Sequence, residues 1–115
     1  MKWTIDCEQD ERIYEVIKDV KEDDYMAAME VWGEFMEKNL KFPFDAIVAE
    51  DEGYGPLRIG DKVKVTGIGI IDDLHGVYVD LKKGRCQYSI ELCQLETDGI
   101  NRQLLDDYNM WFSNF

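Results

Sequence analysis

Five carboxylates stand out by type and spacing. Glu50, Asp51 and Glu52 are consecutive, and Asp72 and Asp73 form a second acidic pair. No Lys or Arg falls between Lys41 and Arg58, nor between Lys64 and Lys82, so neither group has a basic neighbour in sequence. Carboxylates crowded together repel one another and become harder to ionise. A divalent cation relieves that repulsion. Ca²⁺ suits such groups best, because it accepts roughly six to eight oxygens in flexible geometry, whereas Mg²⁺ demands a tighter octahedron. An all-oxygen set argues against zinc or copper. The expected ion is therefore Ca²⁺, and the expected ligands are Glu50, Asp51, Glu52, Asp72 and Asp73. On loops that stay apart the same charges would be no more than a solvated surface, so the chemistry depends on the two groups meeting.

Other chemistries fit poorly. Neither acidic group has the EF-hand spacing, in which alternate Asp residues precede a Gly and a Glu closes the loop at its twelfth position. There is no Gly-rich phosphate loop, no His-Glu-x-x-His and no Gly-x-Ser-x-Gly. His75 is the only histidine, and with Cys7, Cys86 and Cys93 it matches no zinc module. Cys86 and Cys93 read as small core residues, and His75 as an exposed loop residue. No nucleophile is spaced to work with a base, so the chain is not expected to be an enzyme. Asp61 follows Gly60 and is expected to serve its turn. Glu96, Asp98, Asp106 and Asp107 form a possible second, weaker cation patch, the last two on the exposed face of a helix.

Composition narrows the partners. The chain has 115 residues and a formal net charge of -12, which repels nucleic acid and anionic membrane. Cations remain, as does a basic protein; an acidic module that docks a basic partner is the alternative to metal binding. No apolar run has the length of a membrane span. The three cysteines form no Cys-x-x-Cys pair, and Met1-Lys2-Trp3-Thr4 opens no secretory signal, so a cytoplasmic protein with reduced thiols is expected.

The elements that must position these groups are legible from periodicity. Ile13, Val16, Ile17 and Val20 recur at helical spacing, predicting a helix over 8–21 with Asp6 as its cap. Tyr25, Met29, Trp32, Phe35, Met36 and Leu40 predict a second helix, capped by Asp23 or Asp24. From Phe42 the pattern alternates. Phe44, Ala46 and Val48 mark one strand; Val63 and Val65, extending to Ile71, a second; Val77, Val79 and Leu81 a third. Gly84 predicts a hairpin turn, Cys86, Tyr88 and Ile90 a fourth strand, and residues 92–96 a 3₁₀ turn or last short strand. Leu104, Leu105, Tyr108, Trp111 and Phe112 predict a closing helix, capped by Asp98 or Asn101. The fold class is α+β: a small SH3-like β-barrel preceded by two α-helices and followed by one C-terminal α-helix. The expected organisation is a single calcium-binding domain over 1–115, with a helical part to 41, the barrel over 42–96 and the last helix over 97–115. In such a barrel the loops after the first and second strands should lie at one end and face each other.

The ordered set Trp32, Phe42-Pro43-Phe44-x-Ala46-x-Val48, Gly55-Pro56-Leu57, Gly60-Asp61-x-Val63-x-Val65, Gly84-Arg85, Leu92-Cys93-x-Leu95-Glu96 and Asp107-Tyr108-x-x-Trp111-Phe112-x-Asn114 resembles the small acidic calcium-binding proteins of cyanobacteria, the CcbP-like family. The likeness runs from about Tyr25 to the end. It implies reversible Ca²⁺ binding without EF-hands and a role as a buffer or sequestering protein. It does not single out which carboxylates are ligands.

Overall fold

The structure is a computed structural model and describes residues 3–21, 23–50, 56–72 and 74–114. Two helices, α1 (Glu8–Ile17) and α2 (Tyr25–Asn39), come first. Five strands follow: β1 (Phe44–Val48), β2 (Lys62–Asp72), β3 (Gly76–Lys83), β4 (Cys86–Glu91) and the short β5 (Leu95–Glu96). A 3₁₀ turn, Leu92–Gln94, joins β4 to β5, and another, Gly99–Asn101, leads into α3 (Arg102–Asn114). The α+β class is as expected. All described pairings are antiparallel, in the order β4-β3-β2-β1-β5. The ladder is open: no pairing among the described residues joins β4 to β5, so the closure expected of a barrel is not seen.

Strand alternation decides which face is buried. Phe44, Ala46 and Val48 point inward from β1, and Val63, Val65, Val77, Val79 and Leu81 do so from β2 and β3. They meet Met29, Trp32 and Met36 of α2 and Leu105, Tyr108 and Trp111 of α3 in one core. Trp32 is fully buried with its ring edge-on to Tyr108 at 5.7 Å and tilted on Trp111 at 5.9 Å. Two register shifts interrupt the β2–β3 ladder. Val65 and Gly67 pair with Leu81 and Asp80, and Ile68 and Ile71 with Val79 and Val77. Each places one extra residue in β2, which bends the strand and increases its twist.

Several local expectations need correction. Helix α1 stops at Ile17 rather than Lys21, where Val20 N–H closes a tight bond to the Ile17 carbonyl (3.0 Å). Its N-cap position is Cys7, without a side-chain bond; Asp6 instead donates its N–H to Asp10 (2.9 Å). Asp24 does cap α2, accepting from Ala27 N–H at 3.1 Å. Tyr25, placed in the buried stripe by spacing, is 45% exposed at the first position of α2. Cys86 is exposed, because it opens edge strand β4 beside the hairpin turn. Asn101 does not cap α3 from outside. It is buried, and its carboxamide accepts from Lys41 N–H (3.0 Å) and lies 3.4 Å from the Lys41 carbonyl, tying α3's entry to the start of β1. Asp107 is not on the exposed face of α3 but buried, with both oxygens on the Arg12 guanidinium (2.8 and 3.1 Å). A buried carboxylate is tolerated only when paired this way, and the pair fixes α1 against α3. Asp61 serves its turn, accepting from Arg58 N–H (2.9 Å) and also pairing with Lys83.

One buried bond joins the sheet to α3. Val77 N–H donates to the Tyr108 hydroxyl at 2.9 Å. Gly76, with φ of 80°, lies against it: a β-carbon there would overlap the Tyr108 hydroxyl and come within 2.8 Å of Phe112 Cε1. Tyr108→Phe leaves Val77 N–H without its acceptor and is expected to cost about 1–3 kcal/mol. Gly76→Ala adds a clash and a left-handed backbone, and should cost more. Urea unfolding checks both: lower midpoints with the slope kept are expected, and an unchanged midpoint for Gly76→Ala contradicts this packing.

Candidate metal centre

Two of the five expected ligands, Glu50 and Asp72, are described; Asp51, Glu52 and Asp73 lie outside the described residues. Asp72 ends β2. Its Oδ1 accepts from the N–H groups of Leu74 (2.8 Å) and His75 (3.0 Å) and sits 3.2 Å from His75 Nδ1. An Asp that caps its own turn in this way pins a hairpin. The Leu74 and His75 amides, with the His75 ring adding to them, hold its carboxyl below the ordinary aspartate range, so it is ionised at neutral pH. Oδ2 takes no part in these contacts. His75 is an exposed loop residue, as expected, and its ring is spent on Asp72.

Glu50 leaves β1 through a different anchor. The N–H groups of Ala49 (2.7 Å) and Glu50 (3.2 Å) both donate to the Gln94 carbonyl, so the strand end rests on the Leu92–Gln94 turn. The Glu50 side chain is exposed. Among the described residues no Lys or Arg pairs with Glu50 or Asp72; the basic ion pairs are Arg12–Asp107, Lys18–Glu15, Lys83–Asp61 and Arg102–Asp106.

Register alone would separate the two loops. Ile47 of β1 stands opposite Lys62, at the start of β2, whereas Asp72 is its last residue. A straight strand of this length spans about 35 Å. The two bulges bend β2, and the 3₁₀ turn links the end of β1 to β4. Gln94, which carries Glu50, is two residues beyond Leu92, and Leu92 directly follows Glu91. Glu91 in turn pairs with Tyr78, two residues past Gly76. The thiol of Cys93 senses both sides. Burial pushes its pKa up to about 12, and the negative charges of Glu91 and then Glu50 add to the effect. Its Sγ donates to Glu91 Oε2 at 3.6 Å. Glu91 was not singled out from sequence, although no Lys or Arg falls between Arg85 and Arg102, the same signal that marked the other two groups. The expected second patch is divided: Glu96, Asp98 and Asp106 line one groove, while Asp107 is taken by Arg12.

The side chains expected as ligands are all carboxylates, which suit a hard cation. Among the described residues no three His, Cys, Asp or Glu side chains are grouped to hold a metal. Comparison with known proteins names the ion. A family model described as calcium binding, Calci_bind_CcbP, matches residues 11–112. The chain belongs to the CcbP calcium-binding family. The match includes most of α1, where the sequence had shown little likeness. Two solved structures share the fold. One, the crystal structure of Anabaena CcbP, is 22% identical with a TM-score of 0.73, over 98% of this chain and 96% of that one. The other, a calcium binding protein in the calcium-binding form, is 23% identical with a TM-score of 0.72, over 91% and 89%. No curated protein matches the chain. Among the described residues no helix is long and apolar enough to cross a membrane.

The half-buried thiol offers a direct check of this corner of the fold. With a pKa near 12, Cys93 carries almost no thiolate at pH 8, while Cys7 and Cys86 are exposed. Ellman's reagent should therefore label two thiols quickly and the third only as the protein opens. Fast labelling of all three contradicts the placement of Cys93 beneath Glu50 and Glu91.

Proposed function

We propose that this chain binds Ca²⁺ reversibly through Glu50, Asp51 and Glu52 on one loop and Asp72 and Asp73 on the other, as a cytoplasmic calcium buffer. Membership of the CcbP family supports the ion. The choice of loops rests on the Leu92–Gln94 turn, which carries Glu50 and leads back through Glu91 to the strand that begins beside Asp72. We read the bent sheet as SH3-like: the strand order, the bulged β2 and the 3₁₀ turn before β5 favour it.

In this reading Asp72 has two tasks. Oδ1 is held by the turn amides, which fixes the carboxylate without side-chain motion, and Oδ2 is left for the ion. The Glu50 side chain is exposed, so affinity is moderate and falls with salt through screening. Protons compete for the same oxygens, so binding also weakens as pH falls into the carboxylate range.

Calorimetric titration of metal-free protein tests this. A saturating Ca²⁺ heat is expected, with a weaker Mg²⁺ response. Asp51→Asn with Asp73→Asn should raise the Kd by about tenfold or more, equivalent to about 1.4 kcal/mol. An unchanged Kd places the ligands elsewhere. No Ca²⁺ heat at physiological salt overturns the function and leaves the acidic docking module as the better account.

A further inference from the structure

On the outer face of the sheet, away from the acidic hairpin, an open groove of about 1080 Å³ crosses β3, β2, β1 and β5. Its charges are sorted by strand. Lys82 on β3 and Lys62 and Lys64 on β2 make one side basic. Glu96 of β5 and Asp98 make the other side acidic on balance, with Asp106 beyond them paired to Arg102. Between them runs β1, with Asp45 and the 45% exposed Ile47 facing outward. Register shows the order directly: Ile47 pairs with Lys62 on one side and Glu96 on the other. One row across the sheet therefore reads base, apolar, acid.

Of these charges only Asp106 has a partner within the described chain, Arg102 at 3.6 Å. Lys62, Lys64 and Lys82 have no ion pair among the described residues, and neither do Asp45, Glu96 and Asp98. Lys64 stands between Lys82 on β3, a like charge that destabilises the pairing, and Asp45 on β1, an opposite one. In a chain of net charge -12, a lane of three unpaired lysines is a local reversal of sign.

A surface that runs from positive to negative across a central strand is complementary to itself after a half-turn. Rotation about Ile47 brings the Lys62 of one copy over the Glu96 of the other, and Glu96 over Lys62. The same rotation lowers the acidic rim of Asp98 and Asp106 onto the Lys64–Lys82 lane of the partner, filling each groove with the other copy's wall. Ile100, 74% exposed and two residues past Asp98, supplies an apolar contact on that rim. We propose that this face is a two-fold interface between two copies of this chain. The net charge opposes approach at long range, but at physiological ionic strength that repulsion is screened beyond about 8 Å, while the short-range pairs survive.

Sedimentation velocity of the full chain tests the proposal, with a chelator present so that no metal can bridge two copies. The wild type should form a dimer as concentration rises toward the millimolar range. Lys64→Glu with Lys82→Glu should weaken the dimer about tenfold or more, and so should Glu96→Lys with Asp98→Lys. All four side chains are exposed, and circular dichroism verifies that each variant is folded. Mixed in equal amounts, the two variants should regain a heterodimer that neither forms alone. A wild type that stays monomeric, association only when Ca²⁺ is added, or a mixture that stays monomeric would each overturn it.

Discussion

The bond from Val77 N–H to the buried Tyr108 hydroxyl is the constraint on which the rest depends. It is made inside the core, where a backbone N–H without an acceptor is costly. It sets how closely α3 lies on the first residues of β3, and Gly76 is required because the approach leaves no room for a side chain. Burial pushes the Tyr108 phenol up, so it stays neutral and keeps its place in the aromatic cluster with Trp32, Trp111 and Phe112. The hairpin carrying Asp72 is thereby anchored at its base by α3 and closed at its tip by its own Asp. A carboxylate on such a support can be pre-positioned, although the loop itself is at the surface.

The second support is the bend in β2. Two extra residues against β3 bend the strand that ends at Asp72. The 3₁₀ turn after β4 then completes the path from Glu50 to the hairpin. Charge follows the same geometry. Among the described residues Glu50 and Asp72 have no basic partner, whereas the outer sheet face collects lysines on one side and carboxylates on the other. The described surface therefore carries two different charge patterns, a carboxylate at the hairpin and opposed charged rows on the outer sheet face.

Much of the frame was legible because local chemistry and burial agree there. Alternation in Phe44, Ala46 and Val48 and the helical spacing of Met29, Trp32 and Met36 both report one face turned to the core. Misreadings occurred where a distant partner overrides the local signal. Asp107 looks like a surface residue until Arg12, far away in sequence, is seen to hold it. Asn101 looks like a cap but serves Lys41. Cys86 obeys strand alternation, yet the hairpin mouth of an edge strand has nothing to pack on. Of the candidate site, the sequence displayed the carboxylates and their lack of basic neighbours. It did not display Glu91, whose importance comes from the 3₁₀ turn that follows it. Nor could it display the β2 bulges, because an extra residue in one strand has meaning only against its partner.

In the proposed function both acidic loops hold one ion. Backbone amide shifts followed by NMR through a Ca²⁺ titration test it most directly. With one shared ion, residues 50–52 and 72–76 shift together along one saturation curve, with Gln94 and Glu91 moving in step. Shifts confined to one loop, or separate curves for the two, would contradict it.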